Sequence, residues 1–208
     1  MKCYIKDYPR PQFMRTDWEN LNGTWDFGFD DENAGEKEKW YQEFKGDKKI
    51  NVPFTYETKL SGIQDETRHD FIWYHRTINV DGVKLENNRY ILHFEGSDFI
   101  TKVWVNGAYA GSHRGGYARC SFDVTNLVHD GENELTVKVE DSFDTQQPRG
   151  KQRWINENFG CWYVQTTGIW KTVWSEYVPK ISLASVKMTP DLQNAALKLE
   201  YEVAAAEK

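Results

Sequence analysis

Apolar and polar residues alternate with a period of two along most of the chain, the pattern of strands that bury one face. Residues 20–29 begin with a turn signal and continue with Trp25, Phe27 and Phe29 on one face. Ile50 to Phe54 reads as a short edge strand, because Pro53 has no N–H for a ladder. Phe71 to Val80 sets Ile72, Tyr74, Arg76 and Ile78 against Trp73, His75 and Thr77, and large groups on both faces predict a central strand. Arg89 to Glu95 alternates Tyr90, Leu92 and Phe94 against Ile91 and His93. Next, Asn106-Gly107 offers the positive φ angles of a two-residue primed turn, which sets Val105 opposite Ala108, Trp104 opposite Tyr109 and Val103 opposite Ala110. The aromatic face of that hairpin either covers the sandwich or meets something flat, such as a sugar ring. Gly115-Gly116 allows a sharp bend or a close backbone approach.

Further strands are predicted at Cys120 to Val124, at Glu134 to Glu140, and after Gly168, where Trp170, Thr172 and Trp174 oppose Ile169 and Val173. At least seven short strands and no long helix predict an all-β, antiparallel β-sandwich; the strand count leaves jelly-roll and immunoglobulin-type sandwiches both open. Residues 30–44 are charged and read as a loop with one helical turn over Glu36 to Phe44. Pro179 marks a boundary between a first domain, 1–178, and a second, 179–208, whose two strands are joined across Pro190-Asp191. Two strands cannot bury a core alone, so the chain is expected to stop inside that second domain.

The formal net charge of −6, with Lys and Arg scattered, argues against a nucleic-acid or anionic-membrane partner. Cys3, Cys120 and Cys161 cannot all pair and lack metal-site spacing; the first residues carry no secretory signal and no run of about 18 apolar residues exists. The expectation is a soluble cytoplasmic protein with no cofactor and no metal. His75 and His113 read as locally hydrogen-bonded, and Cys161 has no neighbouring base.

Residues 141–170 form the longest stretch without alternation; such loops inside compact domains are usually functional or disordered, and the aromatic surface of this one argues against disorder. Trp154, Phe159, Trp162, Tyr163 and Trp170 stand among Arg149, Lys151, Gln152, Arg153, Asn156, Asn158 and Gln165, flat rings beside directed donors. That combination suits sugars, and equally a loop docked by its aromatics on its own or a neighbouring domain.

The ordered segments LNGTW (21–25), VPF (52–54), WYHR (73–76), LHFEG (92–96), VWVNG (103–107), GSHRGGY (111–117), FDVTNLV (122–128), ENELTVKVED (132–141), PRGKQ (148–152) and TTGIWKTVW (166–174) together resemble the N-terminal sugar-binding domain of glycoside hydrolase family 2, over residues 15–178. The resemblance implies a jelly-roll β-sandwich of galactose-binding-domain-like type, with the tail from Pro179 similar to the truncated start of an immunoglobulin-like β-sandwich. It further implies a longer retaining exo-acting enzyme, foremost a β-galactosidase, with a TIM barrel carrying two catalytic glutamates that this chain lacks, and a homo-oligomeric assembly. By position, it implies sugar contacts from Arg149, Lys151, Gln152, Trp154, Trp162, Tyr163 and Thr166, with a carbohydrate and the neighbouring domains of the same polypeptide as partners. Several relatives carry an aspartate near the position of Trp162; here none lies between Asp144 and Trp170. The alternatives are a free-standing carbohydrate-binding module and a purely structural domain of a β-glucuronidase or β-mannosidase.

Overall fold

The computed structural model describes residues 7–143 and 146–205, so Cys3 and Asp144 lie outside the described residues. The alternating segments become strands β1 (Trp18–Asn20), β2 (Gly23–Phe29), β3 (Lys48–Val52), β4 (Phe71–Val80), β5 (Asn88–Phe94), β6 (Ser97–Asp98), β7 (Ile100–Val105), β8 (Ala108–Arg114), β9 (Cys120–Asp123), β10 (Gly131–Glu140), β11 (Gly168–Ile169), β12 (Val173–Pro179), β13 (Ile181–Asp191) and β14 (Ala196–Ala205). They build a six-stranded sheet, β3-β2-β4-β10-β7-β8, and a four-stranded sheet, β1-β12-β5-β9, both antiparallel. A short β6–β11 pair lies beside them. This is the predicted all-β jelly-roll sandwich.

The core forms where the two sheets meet. Trp25, Phe27, Ile72, Tyr74, Leu135, Val137, Val139, Val103 and Val105 come from the larger sheet, and Tyr90, Leu92, Phe94, Phe122 and Val173 from the smaller. As predicted, β4 is central, between β2 and β10, and β3 is an edge. The other face of the six-stranded sheet is covered too. Residues 30–47 fold as successive turns rather than a helix and lay their rings on it: Tyr41 stacks on Trp104 at 5.3 Å, Trp104 on Trp73 at 5.3 Å, and Phe44 on His75 at 5.0 Å. Lys138, 3% exposed, draws the same segment down through Glu36 Oε1 (2.8 Å), which also accepts from Lys102 (2.8 Å). Trp104 of the hairpin is therefore covered by its own chain, while Tyr109 stands 54% exposed at the rim.

Three local expectations are corrected. Asn106 and Gly107 do take positive φ, 51° and 76°, and Val105 and Trp104 do face Ala108 and Tyr109. Val103, however, faces Gly111: a bulge inserts Ala110 and moves the register by one. The strand predicted after Gly168 is broken at 170–172, because β11 pairs with β6 whereas β12 pairs with β5; in between, the N–H groups of Trp170 and Lys171 donate to Gly96 O (3.2 and 3.3 Å). Pro190 and Asp191 belong to β13, and the chain reverses at residues 192–195 instead; Pro190 is tolerated because a two-stranded ribbon leaves it a free edge.

Among the described residues, the β13–β14 hairpin pairs only with itself. Val186–Tyr201, Met188–Leu199 and Pro190–Leu197 pairs make one face apolar, while Lys187–Glu200 and Thr189–Lys198 make the other polar. Arg10 and Arg15 tie the hairpin to the sandwich through the carbonyls of Ala184 (3.1 Å) and Leu183 (3.3 Å).

Trp73 is fully buried, and its Nε1–H donates to Asp30 Oδ2 (2.9 Å). Trp73→Ala is expected to lower the unfolding free energy by about 3–5 kcal/mol. Tyr109→Ala, at the exposed rim of the same face, should change it by about 0.5 kcal/mol or less. Urea titration followed by circular dichroism separates the two, and equal losses would mean that the covering segment does not lie on the sheet.

Candidate functional site

The loop from Asp141 to Thr167 leaves the end of β10 and returns as β11. Its middle closes on itself: Arg153 N–H donates to Tyr163 O (2.6 Å), Tyr163 N–H to Lys151 O (2.8 Å) and Trp162 N–H to Phe159 O (2.8 Å). Inside this lobe Trp154 packs edge-on against Phe159 (5.1 Å) and Trp162 (4.5 Å), so the three rings stabilise one another. The lobe is held together by its own aromatics.

Beneath the lobe, polar side chains fix it to the sandwich. Arg153 Nε donates to Gln165 Oε1 (2.9 Å) and one terminal nitrogen to Glu66 O (2.6 Å), reaching the connection between β3 and β4. Gln152 uses both ends of its amide: Nε2 donates to Asp98 Oδ2 (2.8 Å), and Oε1 accepts from Thr166 N–H (2.8 Å). Asp98 reaches that position because residue 116 is glycine; a Cβ there would fall 2.2 Å from Asp98 Oδ1. The Gly115-Gly116 pair thus serves close approach. Trp170 Nε1–H, donating to Gly116 O (2.8 Å), holds the strand end in place.

Two more carboxyls lie under the loop. Asp141 accepts from Gln147 Nε2 (2.5 Å), and Glu57 Oε1 accepts from Thr167 N–H (3.0 Å). Burial pushes the Glu57 carboxyl up to about 7. Burial, reinforced by the neighbouring Asp98, pushes Asp141 up to about 7 as well. Burial also raises Asp98, against the opposing pull of Gln152 and Arg149.

Of the seven residues predicted to meet sugar, Arg149 and Gln152 are buried, Trp154, Trp162 and Thr166 are half-buried, and Lys151 and Tyr163 are exposed, Tyr163 by 60%. All lie on one lobe, but only part of the set faces outward. Beside them an open depression of about 600 Å³ is lined by Glu66, Thr67, Arg68, Arg153 and Asn156. Its chemistry is that of hydroxyl recognition: amide and guanidinium donors stand next to carboxylate and carbonyl acceptors. Arg68 grips Asp70 with two bonds of 2.5 Å, whereas the acceptors of Arg153 are the neutral oxygens of Gln165, Asn158 and the Glu66 carbonyl. The three carboxyls below are only 3–6% exposed and engaged in holding the loop, so they do not flank an open cleft as glycoside hydrolysis requires.

The sequence reading missed Glu57, Asp98 and Asp141. Glu57 and Asp98 stand far from the loop's rings in the chain, and Asp141 is the loop's first residue, ahead of its run of rings and donors. The available signal was local: Ser97-Asp98 interrupts the alternation between β5 and β7 with a carboxylate where the next apolar residue would fall.

Comparison with known proteins agrees with this geometry. Residues 18–175 match the family described as glycosyl hydrolases family 2, sugar binding domain. A putative β-glucuronidase of Formosa agariphila is 32% identical over 143 residues, covering 67% of this chain and 16% of that protein. A β-galactosidase of Thermoanaerobacter pseudethanolicus is 26% identical over 203 residues, covering 94% of this chain and 24% of that protein. This chain therefore spans a quarter or less of those relatives' length. Among solved structures, the β-glucuronidase of an uncultured Clostridium species superposes with a TM-score of 0.70 at 25% identity over 90% of this chain and 34% of that one. The β-glucuronidase of Ruminococcus gnavus shares the fold, with a TM-score of 0.72 at 19% identity over 90% of this chain and 33% of that one. A match that runs from β1 into β12 takes in both sheets and the whole lobed loop, and on that ground the chain belongs to the sugar-binding domains of glycosyl hydrolase family 2.

Proposed function

We propose that this chain works as the N-terminal part of a longer retaining exo-acting β-glycosidase and presents its lobed loop to the substrate pocket, while a barrel elsewhere in that polypeptide supplies the catalytic carboxylates. The observation that supports this is the loop itself: it is pinned from below by Asp98, Gln152 and Arg153 and turns Lys151 and Tyr163 outward. A lobe held this firmly can present donors and a ring face without an ordering cost at binding. The substrate is a β-galactoside or a β-glucuronide, since relatives of both names match. The isolated domain is inactive in this reading. Free Cys120 and Cys161 fit a reducing, cytoplasmic setting.

The same reading makes β13 and β14 the opening of an immunoglobulin-like second domain. Leu197, Leu199, Tyr201 and Val203 are each more than half exposed on one strand, an apolar stripe that a second sheet would cover.

Two measurements test the proposal. The complete gene product should release p-nitrophenol from the β-galactoside or the β-glucuronide, and turnover of neither would overturn the reading. Within that enzyme, Tyr163→Ala should lower kcat/KM by about 1–3 kcal/mol in transition-state terms and leave the unfolding midpoint unchanged. Gln152→Ala strips the buried Asp98 of its donor, so it should lower stability as well, by about 1–3 kcal/mol. Full activity in the folded Tyr163→Ala enzyme would assign the loop to domain docking instead.

A further inference from the structure

Thr167 stands at the foot of the loop, one residue before β11, and both of its polar ends meet buried carboxyls. Its N–H donates to Glu57 Oε1 at 3.0 Å, and its hydroxyl lies 3.5 Å from Asp141 Oδ2. The second oxygen of Glu57 has no hydrogen-bond partner among the described residues, while the second oxygen of Asp141 takes the Gln147 amide. An ionised carboxylate left bare in an enclosed site is costly; a neutral carboxyl keeps an acceptor oxygen for Thr167 and avoids that cost. Burial outweighs the groups that favour the charged form, which are Thr55, Thr167 and the backbone at Glu57, and Gln147 and Arg149 at Asp141. Tyr56 and Tyr74 face Glu57, and Asp98 and Asp70 face Asp141, opposed by Arg68, already bound to Asp70, and by Arg149 at 3.9 Å.

We propose that Glu57 and Asp141 are positioning residues: as a carboxyl pair gripping Thr167 they set how residues 146–166 lie on the sandwich, and hence how Lys151 and Tyr163 meet a sugar. The second half of this statement rests on the reading of the loop as substrate-facing. The first half stands on the hydrogen bonds alone.

The grip has a direction in pH. Both carboxyls sit at about 7, above the ordinary value of about 4. A raised acid binds its proton more tightly in the folded protein, so its contribution to stability is complete below about pH 4 and is lost as pH rises through about 7. The loop is held best with both carboxyls protonated and loosens as they ionise beneath it.

Hydrogen–deuterium exchange of the 208-residue chain, corrected for the intrinsic pH dependence of amide exchange, reads this directly. Opening of peptides within 146–166 should increase on the order of tenfold or more between pH 5.5 and 8, while peptides of β4 and β10 stay protected. Glu57→Gln and Asp141→Asn, which keep an acceptor but cannot ionise, should each flatten that profile. If either variant fails to fold, Thr167→Val, which removes the hydroxyl link alone, should raise loop opening at pH 5.5 toward the wild-type level at pH 8. A wild-type loop whose opening does not change with pH, or amide variants that retain the wild-type profile, would overturn the proposal. Glycoside turnover by the complete gene product is a separate readout, so failure of the positioning role and failure of the glycosidase reading are told apart.

Discussion

The ten-residue register between β4 and β10 is the constraint on which the rest of the molecule depends. Phe71 to Val80 runs against Glu140 to Gly131 without a slip, so Ile72, Tyr74, Ile78 and Val80 enter the inter-sheet core together with Leu135, Val137 and Val139. Of the intervening ones, Trp73, Thr136 and Lys138 are also buried. A strand pair apolar on one face and half-polar on the other needs cover on both, and the second cover is the insertion at 30–47. Its terms are electrostatic as well as apolar: a buried ammonium at Lys138 requires an acceptor, and Asn33 and Glu36 supply two. The hydrogen bonds from Lys102 and Lys138 outweigh burial, which opposes them, and hold Glu36 below its usual range.

Buried carboxyls serve two opposite purposes in this sandwich. Glu176, on the smaller sheet, is 1% exposed yet keeps its proton off easily, because His93, Tyr8 and Arg15 outweigh the burial that would raise it. It binds the segment before β1 to β12, and through Arg15 to the hairpin beyond. Glu57, Asp98 and Asp141 lack such a set of donors and move the other way. The same residue type is therefore held ionised in one place and pushed toward its neutral form in another, and the balance between burial and partners such as Arg15 and His93 decides which.

What could be read from the chain follows from the range of the interactions involved. Period-two alternation is a local property, so the strands, the Asn106-Gly107 turn and the central place of β4 were legible before any coordinates. The Ala110 bulge was not, because Gly111 packs against Phe122 from a later strand. The break at 170–172 was equally hidden: Trp170, Thr172 and Trp174 keep the alternation, and only the exchange of partner from β6 to β5 interrupts the ladder. In the loop, the aromatic load argued against disorder. It did not announce which rings look inward, since Trp154 and Trp162 are spent on each other and Tyr163 is left outside.

The distribution of rings over the described residues shows which ring faces are already taken. Trp104, Trp73 and Phe44 have their faces occupied by Tyr41, Trp104 and His75, and Trp174 is stacked on His93 at 4.0 Å. A pyranose needs a ring face that no protein group already covers, together with donors held still. Tyr109 and Tyr117 are more than half exposed elsewhere; Tyr163 is exposed in the loop, clear of the trio behind it, with Lys151 beside it at the Tyr163 N–H to Lys151 O bond. Their stillness is inherited from Gln152 and Arg153, which are adjacent in sequence and each fixed to the sandwich by side-chain bonds. The polar groups below the lobe and the free ring above it are thus two ends of one arrangement, with the lower end setting the geometry of the upper.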